Sequence, residues 1–238
     1  MCGRFTLKTP VSLLFEQLSL QLDPTPLGDF PPRFNICPTQ SIIAVLGADE
    51  KPFPFWMRWG LVPSWSDDLA IGSRMINARS ETVAEKPSFR KAFAKQRCLI
   101  PADGYFEWQT RQGEGKPTKQ PYWIHLPDEK PFVFAGLWEC NTKATGETVL
   151  TCTVLTAAAA PEIACLHDRM PVLIAPQDYE TWLFATEKEA VQKLISEPKY
   201  DEDFGPQLWR YQPVSTAVNN PRQDSAANIV PISIDESL

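Results

Sequence analysis

Histidine is scarce in this 238-residue chain, with one at position 125 and one at 167. The six cysteines (Cys2, Cys37, Cys98, Cys140, Cys152 and Cys165) form no C-x-x-C pair. No residues therefore have zinc-ligand spacing, and neither a metal site nor a disulfide framework is expected. No cofactor is expected either. A surplus of positive charge is also missing: 23 Lys and Arg against 29 Asp and Glu give a net charge of −6. Phosphate binding ordinarily draws on excess cations, so this balance argues against a nucleic-acid partner. The acid is unevenly placed, however. Residues 1–110 carry 12 basic and 11 acidic side chains, and residues 111–238 carry 11 and 18, which leaves room for a local basic groove. No apolar run approaches the ~18 residues of a membrane helix. The N-terminus lacks the charged-then-apolar pattern of a secretory leader. A cytoplasmic protein with no membrane partner is expected.

What is present is material for a core: 43% of the residues are hydrophobic and 11% aromatic. The 23 prolines run from Pro10 to Pro231 without gathering into a linker, so elements must be short and joined by many fixed turns. SIIAVL, MRWGLV, RCLIPADGYFEW, PYWIHL, PFVFAGLWE and TVLTCTVLT read as strands from their β-branched and aromatic content. VSLLFEQLSL has helical spacing, and PQDYETWLF and TEKEAVQKLI read as short helices, the first opened by Pro. Strands outnumber helices and do not alternate with them. The expected fold is α+β: a single domain over 1–238 with a curved, largely antiparallel, barrel-like sheet flanked by short helices. DPTPLGDFPP and residues 221–238 read as loops or tails. Gln17 to Leu20 faintly resembles a sliding-clamp peptide, but its apolar residues suit a buried helix.

Four segments set reactive or charged side chains among Pro, Gly and large apolar neighbours: MCGRF at the start, MINARSET (75–82), IPADGYFEW (100–108) and LHDRMPVLI (166–174). Cys2 is small enough for the methionine ahead of it to be removed. The product would carry a thiol and a free α-amine on adjacent carbons, with ordinary pKa values near ~8.5 and ~8. Such a group condenses with an aldehyde to a Schiff base, which the thiol closes into a five-membered thiazolidine. The alternative is a small buried apolar residue. Glu107 lies between aromatics on an expected strand. Facing a cleft it would have a raised pKa and shuttle protons; facing outward it is a solvated residue. His167, beside Asp168 and Arg169, can exchange protons near neutrality or serve a structural role, and His125 reads as structural. Asn77 and Arg79 would share one side of an extended backbone, an amide and a guanidinium facing a substrate. The alternative is a turn Asn and a surface Arg paired with Glu81.

Eight segments together resemble one family, the SOS response-associated peptidase (SRAP) proteins. They are MCGRF, RFNICPTQ, WGLVPSW, INARSET, CLIPADGYFEW, FAGLWE, LHDRMP and PVSTAVNNP, in the family's order from residue 1 to about 221. The resemblance implies a protein that acts on single-stranded DNA carrying an abasic site. Its processed Cys2 would capture the ring-opened sugar aldehyde as a thiazolidine DNA–protein crosslink that shields the lesion. It also implies an autoproteolytic activity that exposes the cysteine. By position Asn77, Glu107 and His167 match the family's active-site asparagine, glutamate and histidine. In this setting Glu107 would take a proton from the ammonium and His167 would protonate the sugar oxygen. Asn77 would hold the sugar or the N-terminal amide. Arg4, Arg79 and Arg169 are the expected phosphate contacts, and Trp65 and Pro38 the groups that stack or wedge against bases. Either Trp59 or Trp65 is expected in the core. Cys37 stands where the family usually has a smaller residue. The expected partner is abasic-site single-stranded DNA, met by a monomer that is nucleoid-associated when bound.

Three rival readings share some of these residues. An N-terminal-cysteine glutamine amidotransferase also begins Met-Cys-Gly, but it would need an Asn-Gly pair, and the sequence has none. A non-catalytic single-strand binding module would leave Cys2 unexplained. A lyase using the amine alone would break the strand by β-elimination.

Overall fold

The structure, a computed structural model, describes residues 2–28, 30–48, 51–112, 116–196 and 209–234. In chain order its strands are β1 (Phe5–Leu7), β2 (Arg33–Ile36), β3 (Ser41–Ala48), β4 (Lys51–Trp59), β5 (Asn77–Arg79), β6 (Arg97–Ala102), β7 (Gly104–Arg111), β8 (Thr118–His125), β9 (Phe132–Asn141), β10 (Val149–Ala158), β11 (Arg169–Pro171) and β12 (Arg210–Pro213). The helices are α1 (Val11–Gln17), α2 (Arg90–Lys95), α3 (Tyr179–Phe184) and α4 (Lys188–Ser196).

The fold is α+β, as expected, with two sheets. In one, the order β10-β4-β3-β6-β9 returns to its start because β9 also pairs with β10, which closes a barrel; β5 and β11 attach to β10. Closure removes exposed edges along most of this sheet. The other sheet is open and antiparallel, in the order β12-β8-β7-β1-β2. Two pairings of the barrel are parallel, β10 with β4 and β10 with β5. Phe5 joins the sheets, packing edge-on against Trp59 at 5.1 Å and Phe134 at 5.9 Å between ring centroids.

The expected strands occur with two physical corrections. MRWGLV stops being a strand at Trp59 because Gly60 takes φ +125°, and a Cβ there would meet the Gly72 carbonyl oxygen at 2.5 Å. RCLIPADGYFEW is two strands, β6 and β7, divided at Asp103. That fully buried carboxylate accepts from Thr6 Oγ1 at 2.6 Å and from the backbone N–H groups of Lys8 and Thr9 at 2.6 and 2.9 Å. It thereby ties the turn after β1 to the start of β7. Gly104 lets this corner close, since a Cβ would collide with the indole of Trp123 on β8.

Residues 221–234 are not a loose tail. Asp224 accepts from the Phe34 N–H at 2.6 Å and pairs with Arg33, and Val214 bridges to Pro231. The end of the chain beyond 234 lies outside the described residues. α1 is shorter than the helical pattern, ending at Gln17, while Leu18 and Leu20 are buried in the core. The clamp-like stretch is therefore packing material.

Candidate active site around Cys2

β1 is an interior strand of the open sheet, paired with β2 (Phe5 opposite Ile36) and β7 (Phe5 opposite Tyr105). The ladder continues toward the N-terminus, with Phe106 N–H donating to Arg4 O at 2.9 Å. This pairing carries Cys2 inside the protein, where it is 0% exposed and alongside Glu107 on β7. Its thiol points to Arg4 O at 3.9 Å. Burial pushes the thiol pKa up, and the Glu107 charge pushes it further in the same direction.

Asn77 stands at the start of β5, which pairs in parallel with β10 in the barrel. Its Nδ2 donates to Cys2 O at 2.8 Å. Its buried Oδ1 has no hydrogen-bond partner among the described residues, an acceptor available to a further group. The alternation read from NARSE holds: Ala78 is buried between a half-buried Asn77 and an exposed Arg79.

Glu107 is 3% exposed, so it faces inward. Burial raises its pKa, opposed by the charge of His167, whose ring is thus close enough to couple to it. The segment bearing His167 is anchored to the same strand. Gln109 Nε2 donates to Cys165 O at 3.3 Å, and Tyr122 Oη donates to Gln109 Oε1 at 3.2 Å. His167 Nδ1 accepts from Arg169 N–H at 3.0 Å and faces Asp168 Oδ1 at 2.8 Å. A neutral ring with Nδ1 accepting carries its proton on Nε2, and a protonated ring donates from Nδ1 to Asp168. Cys2, Asn77, Glu107 and His167, drawn from four distant segments, thus form one cluster. His125 is apart from it, stacked on Trp123 at 4.2 Å.

The residues expected around this cluster fare differently. Arg79 is exposed, and its side chain makes no hydrogen bond or ion pair among the described residues. Glu81 is not its partner: Arg169 holds that carboxylate with two bonds of 2.9 Å and also donates to Thr156 O at 2.5 Å. The pair holds the Glu81 carboxyl below its usual range. Arg169 can thus reach a phosphate only in competition with Glu81. Arg4 is an internal clamp, donating to Asn35 Oδ1 at 2.9 Å, Val218 O at 2.6 Å and Asn219 O at 3.3 Å. Pro38 is half-buried at the turn after β2.

Of the two tryptophans in WGLVPSW, Trp59 is in the core and Trp65 is 57% exposed. The Trp65 loop is fixed from beneath. Asn141 Nδ2 donates to Pro63 O at 2.7 Å and Ser66 O at 2.8 Å, and Val62 N–H donates to Thr151 Oγ1 at 2.9 Å.

The sequence reading assigned no role to Asn35, Asn219 or Trp108. Asn35, fully buried, donates through Nδ2 to the carbonyls of Val218, Asn220 and Gln223 at 3.1, 3.1 and 2.7 Å. Trp108 Nε1 donates to Asn219 Oδ1 at 2.7 Å. Together with Arg4 they lash PVSTAVNNP across β1, β2 and β7. The signal was the pair RFNICPTQ and PVSTAVNNP, two polar motifs that bind each other. Among the described residues no group of three or more His, Cys, Asp and Glu side chains could hold a metal ion. No helix among them is long and apolar enough to cross a membrane.

A family model described as SOS response associated peptidase (SRAP) matches residues 1–221. The chain is 37% identical over 227 residues to abasic site processing protein YoqW of Bacillus subtilis, covering 94% of this chain and 97% of the relative. It is 30% identical over 242 residues to abasic site processing protein YedK of Escherichia coli, covering 98% of this chain and all of the relative. A crystal structure of a protein from Bacteroides thetaiotaomicron superposes with a TM-score of 0.79 at 22% identity, covering 98% of this chain and all of that one. The match of the family model, the full-length relatives and the shared fold place the chain in one group: it belongs to the SOS response-associated peptidase (SRAP) family.

Proposed function

We propose that this protein processes abasic sites in single-stranded DNA by forming a covalent thiazolidine between Cys2, freed of Met1, and the aldehyde of the ring-opened sugar. The observation that carries this reading is the cluster itself: the one residue able to offer both an amine and a thiol is buried against Glu107 and held by Asn77 through its carbonyl at 2.8 Å. Relatives named abasic site processing proteins across the length of the chain support the substrate.

The order of bond formation follows from the electrostatics. A thiol whose pKa is raised by burial stays protonated near neutrality, so the amine attacks first. The amine nitrogen adds to the aldehyde carbon, giving a carbinolamine, which loses water to an imine. The sulfur then adds to the imine carbon, its proton passing to the nitrogen. One water leaves overall. Glu107, with its pKa raised by burial, is suited to take the ammonium proton and return it to the departing hydroxyl. His167 donates to the sugar oxygen as the ring opens. Asn77 orients the Cys2 acyl group, and its free Oδ1 accepts from the new amine or a sugar hydroxyl. Arg79 contacts phosphate, Arg169 does so when it releases Glu81, and Arg4 holds the binding surface together from within. Trp65 offers a stacking face beside the lesion, with Pro38 flanking it.

Removal of Met1 is hydrolysis of the Met1–Cys2 peptide bond. The same Glu107 and Asn77 would assist it, and the peptidase in the family's name supports this reading. Incubation with an abasic-site oligonucleotide, read on a denaturing gel, tests the proposal. The expected result is a heat-stable protein–DNA band that Cys2→Ala abolishes while non-covalent binding remains. Cleaved DNA with no adduct would instead support a lyase that uses the amine alone.

A further inference from the structure

Away from the Cys2 cluster, a cavity of about 360 Å³ opens between α2 and the α3–α4 connection. Phe93 and Val191, both buried, form its floor, and Ala84 and the exposed Ala94 line its side. Arg90, Lys91 and Lys188 stand at its rim, exposed. Their side chains form no hydrogen bond or ion pair among the described residues. Arg97 forms the inner wall, and no lining residue is acidic. In a chain of net charge −6, four cations around one apolar cavity concentrate charge against the overall trend.

Arg97 explains why the cavity is preformed. Almost fully buried on β6, it donates to the carbonyls of Phe93 and Ala94 at the end of α2, at 2.8 and 2.9 Å. It also donates to Trp182 O and, at 2.5 Å, to Ala185 O at the end of α3. One guanidinium thus fixes the spacing of both walls. Its described acceptors are neutral carbonyls, so its positive charge stays unmatched by a carboxylate. A preformed, mostly apolar cavity with a few convergent polar groups is the form that small-ligand sites take, and this volume lies within their range.

We propose that this cavity binds a small organic anion: an aryl or acyl body on Phe93 and Val191, with an anionic head between Arg90, Lys91 and Lys188. The apolar floor disfavours a bare inorganic anion. The absence of an exposed aromatic face among the lining residues disfavours a stacked single strand.

The probe is 8-anilinonaphthalene-1-sulfonate, which has this chemistry, titrated into the full-length protein by fluorescence and calorimetry. The expected result is saturable binding at one probe per chain, weakened at least tenfold in an Arg90→Glu/Lys188→Glu double variant. A second variant, Ala94→Trp, obstructs the cavity from its side and keeps the charges; it also lowers affinity at least tenfold. All three substitutions fall on exposed positions, and thermal melts verify folding. The uncharged analogue N-phenyl-1-naphthylamine binds at least tenfold more weakly. Crosslinking to abasic-site DNA is unchanged in both variants. Non-saturable binding, equal affinity in wild type and variants, or displacement of the probe by single-stranded DNA would overturn the proposal.

Discussion

Glu107→Gln separates two demands placed on one position. The isosteric amide keeps the shape of the side chain and removes its charge. In the wild-type protein, burial raises the Glu107 pKa above the ordinary glutamate value near ~4.3. Between the unfolded and folded pKa values the folded state holds more protons than the unfolded chain, so stability falls as pH rises through that window. Each unit of upward shift costs about 1.4 kcal/mol once pH exceeds the folded value. In a chain of this length, 1 kcal/mol moves Tm by about 2–4 °C. The Gln variant is therefore expected to melt above wild type at pH 7.5. Its advantage shrinks as pH falls and is gone below about pH 4, where the carboxyl is protonated in both states. Activity moves the other way: without the proton acceptor, single-turnover crosslinking at pH 7.5 falls about 100-fold. Scanning fluorimetry across pH and a gel-based crosslinking time course read the two quantities. A variant that is less stable than wild type at pH 7.5, or one that crosslinks at the wild-type rate, would refute the reasoning.

Three other substitutions test separate parts of the site. Asn77→Ala removes the 2.8 Å bond to Cys2 O and leaves a buried acceptor unpaired at about 1–3 kcal/mol. Crosslinking is expected to slow about 10- to 100-fold, with non-covalent DNA affinity unchanged in a filter-binding assay. Trp65→Ala removes an exposed stacking face worth about 1–3 kcal/mol per base. Single-strand affinity should drop about 5- to 100-fold in fluorescence anisotropy while Tm stays within about 1 °C. Asn35→Ala deletes a buried amide whose two N–H hydrogens are shared among the Val218, Asn220 and Gln223 carbonyls and whose oxygen accepts from Arg4, three bonds' worth at about 1 kcal/mol each. Calorimetry should show Tm lowered by about 6–12 °C.

The strands of the barrel are readable from sequence because buried strands carry continuous β-branched and aromatic runs, as TVLTCTVLT does. The pairings that close the ring are not, because β9 with β6 and β10 with β4 join segments far apart in the chain and leave no local mark. The positions of Cys2, Asn77, Glu107 and His167 stand out as polar residues among rigid apolar ones. Their convergence depends on β1 lying between β2 and β7, which a three-residue strand does not announce. The arginines are harder still. Nothing local distinguishes Arg79, exposed to solvent, from Arg169, bound to Glu81, or from Arg4, locked onto Val218 and Asn219. Those outcomes are set by which carbonyls and carboxylates the fold brings within reach. Residues 221–234 look like a tail because they lack periodicity, yet Asp224 fastens them to Arg33 and Phe34, and Asn35 holds the Gln223 carbonyl.

The central claim is that the amine and thiol of Cys2 act together on an aldehyde. Intact mass spectrometry after incubation with an abasic-site single-stranded oligonucleotide addresses it most directly. The account predicts a protein lacking Met1 that carries one oligonucleotide less one water, and no adduct on Cys2→Ala. A protein that keeps Met1 and stays unmodified, or an adduct that persists in Cys2→Ala, would contradict it.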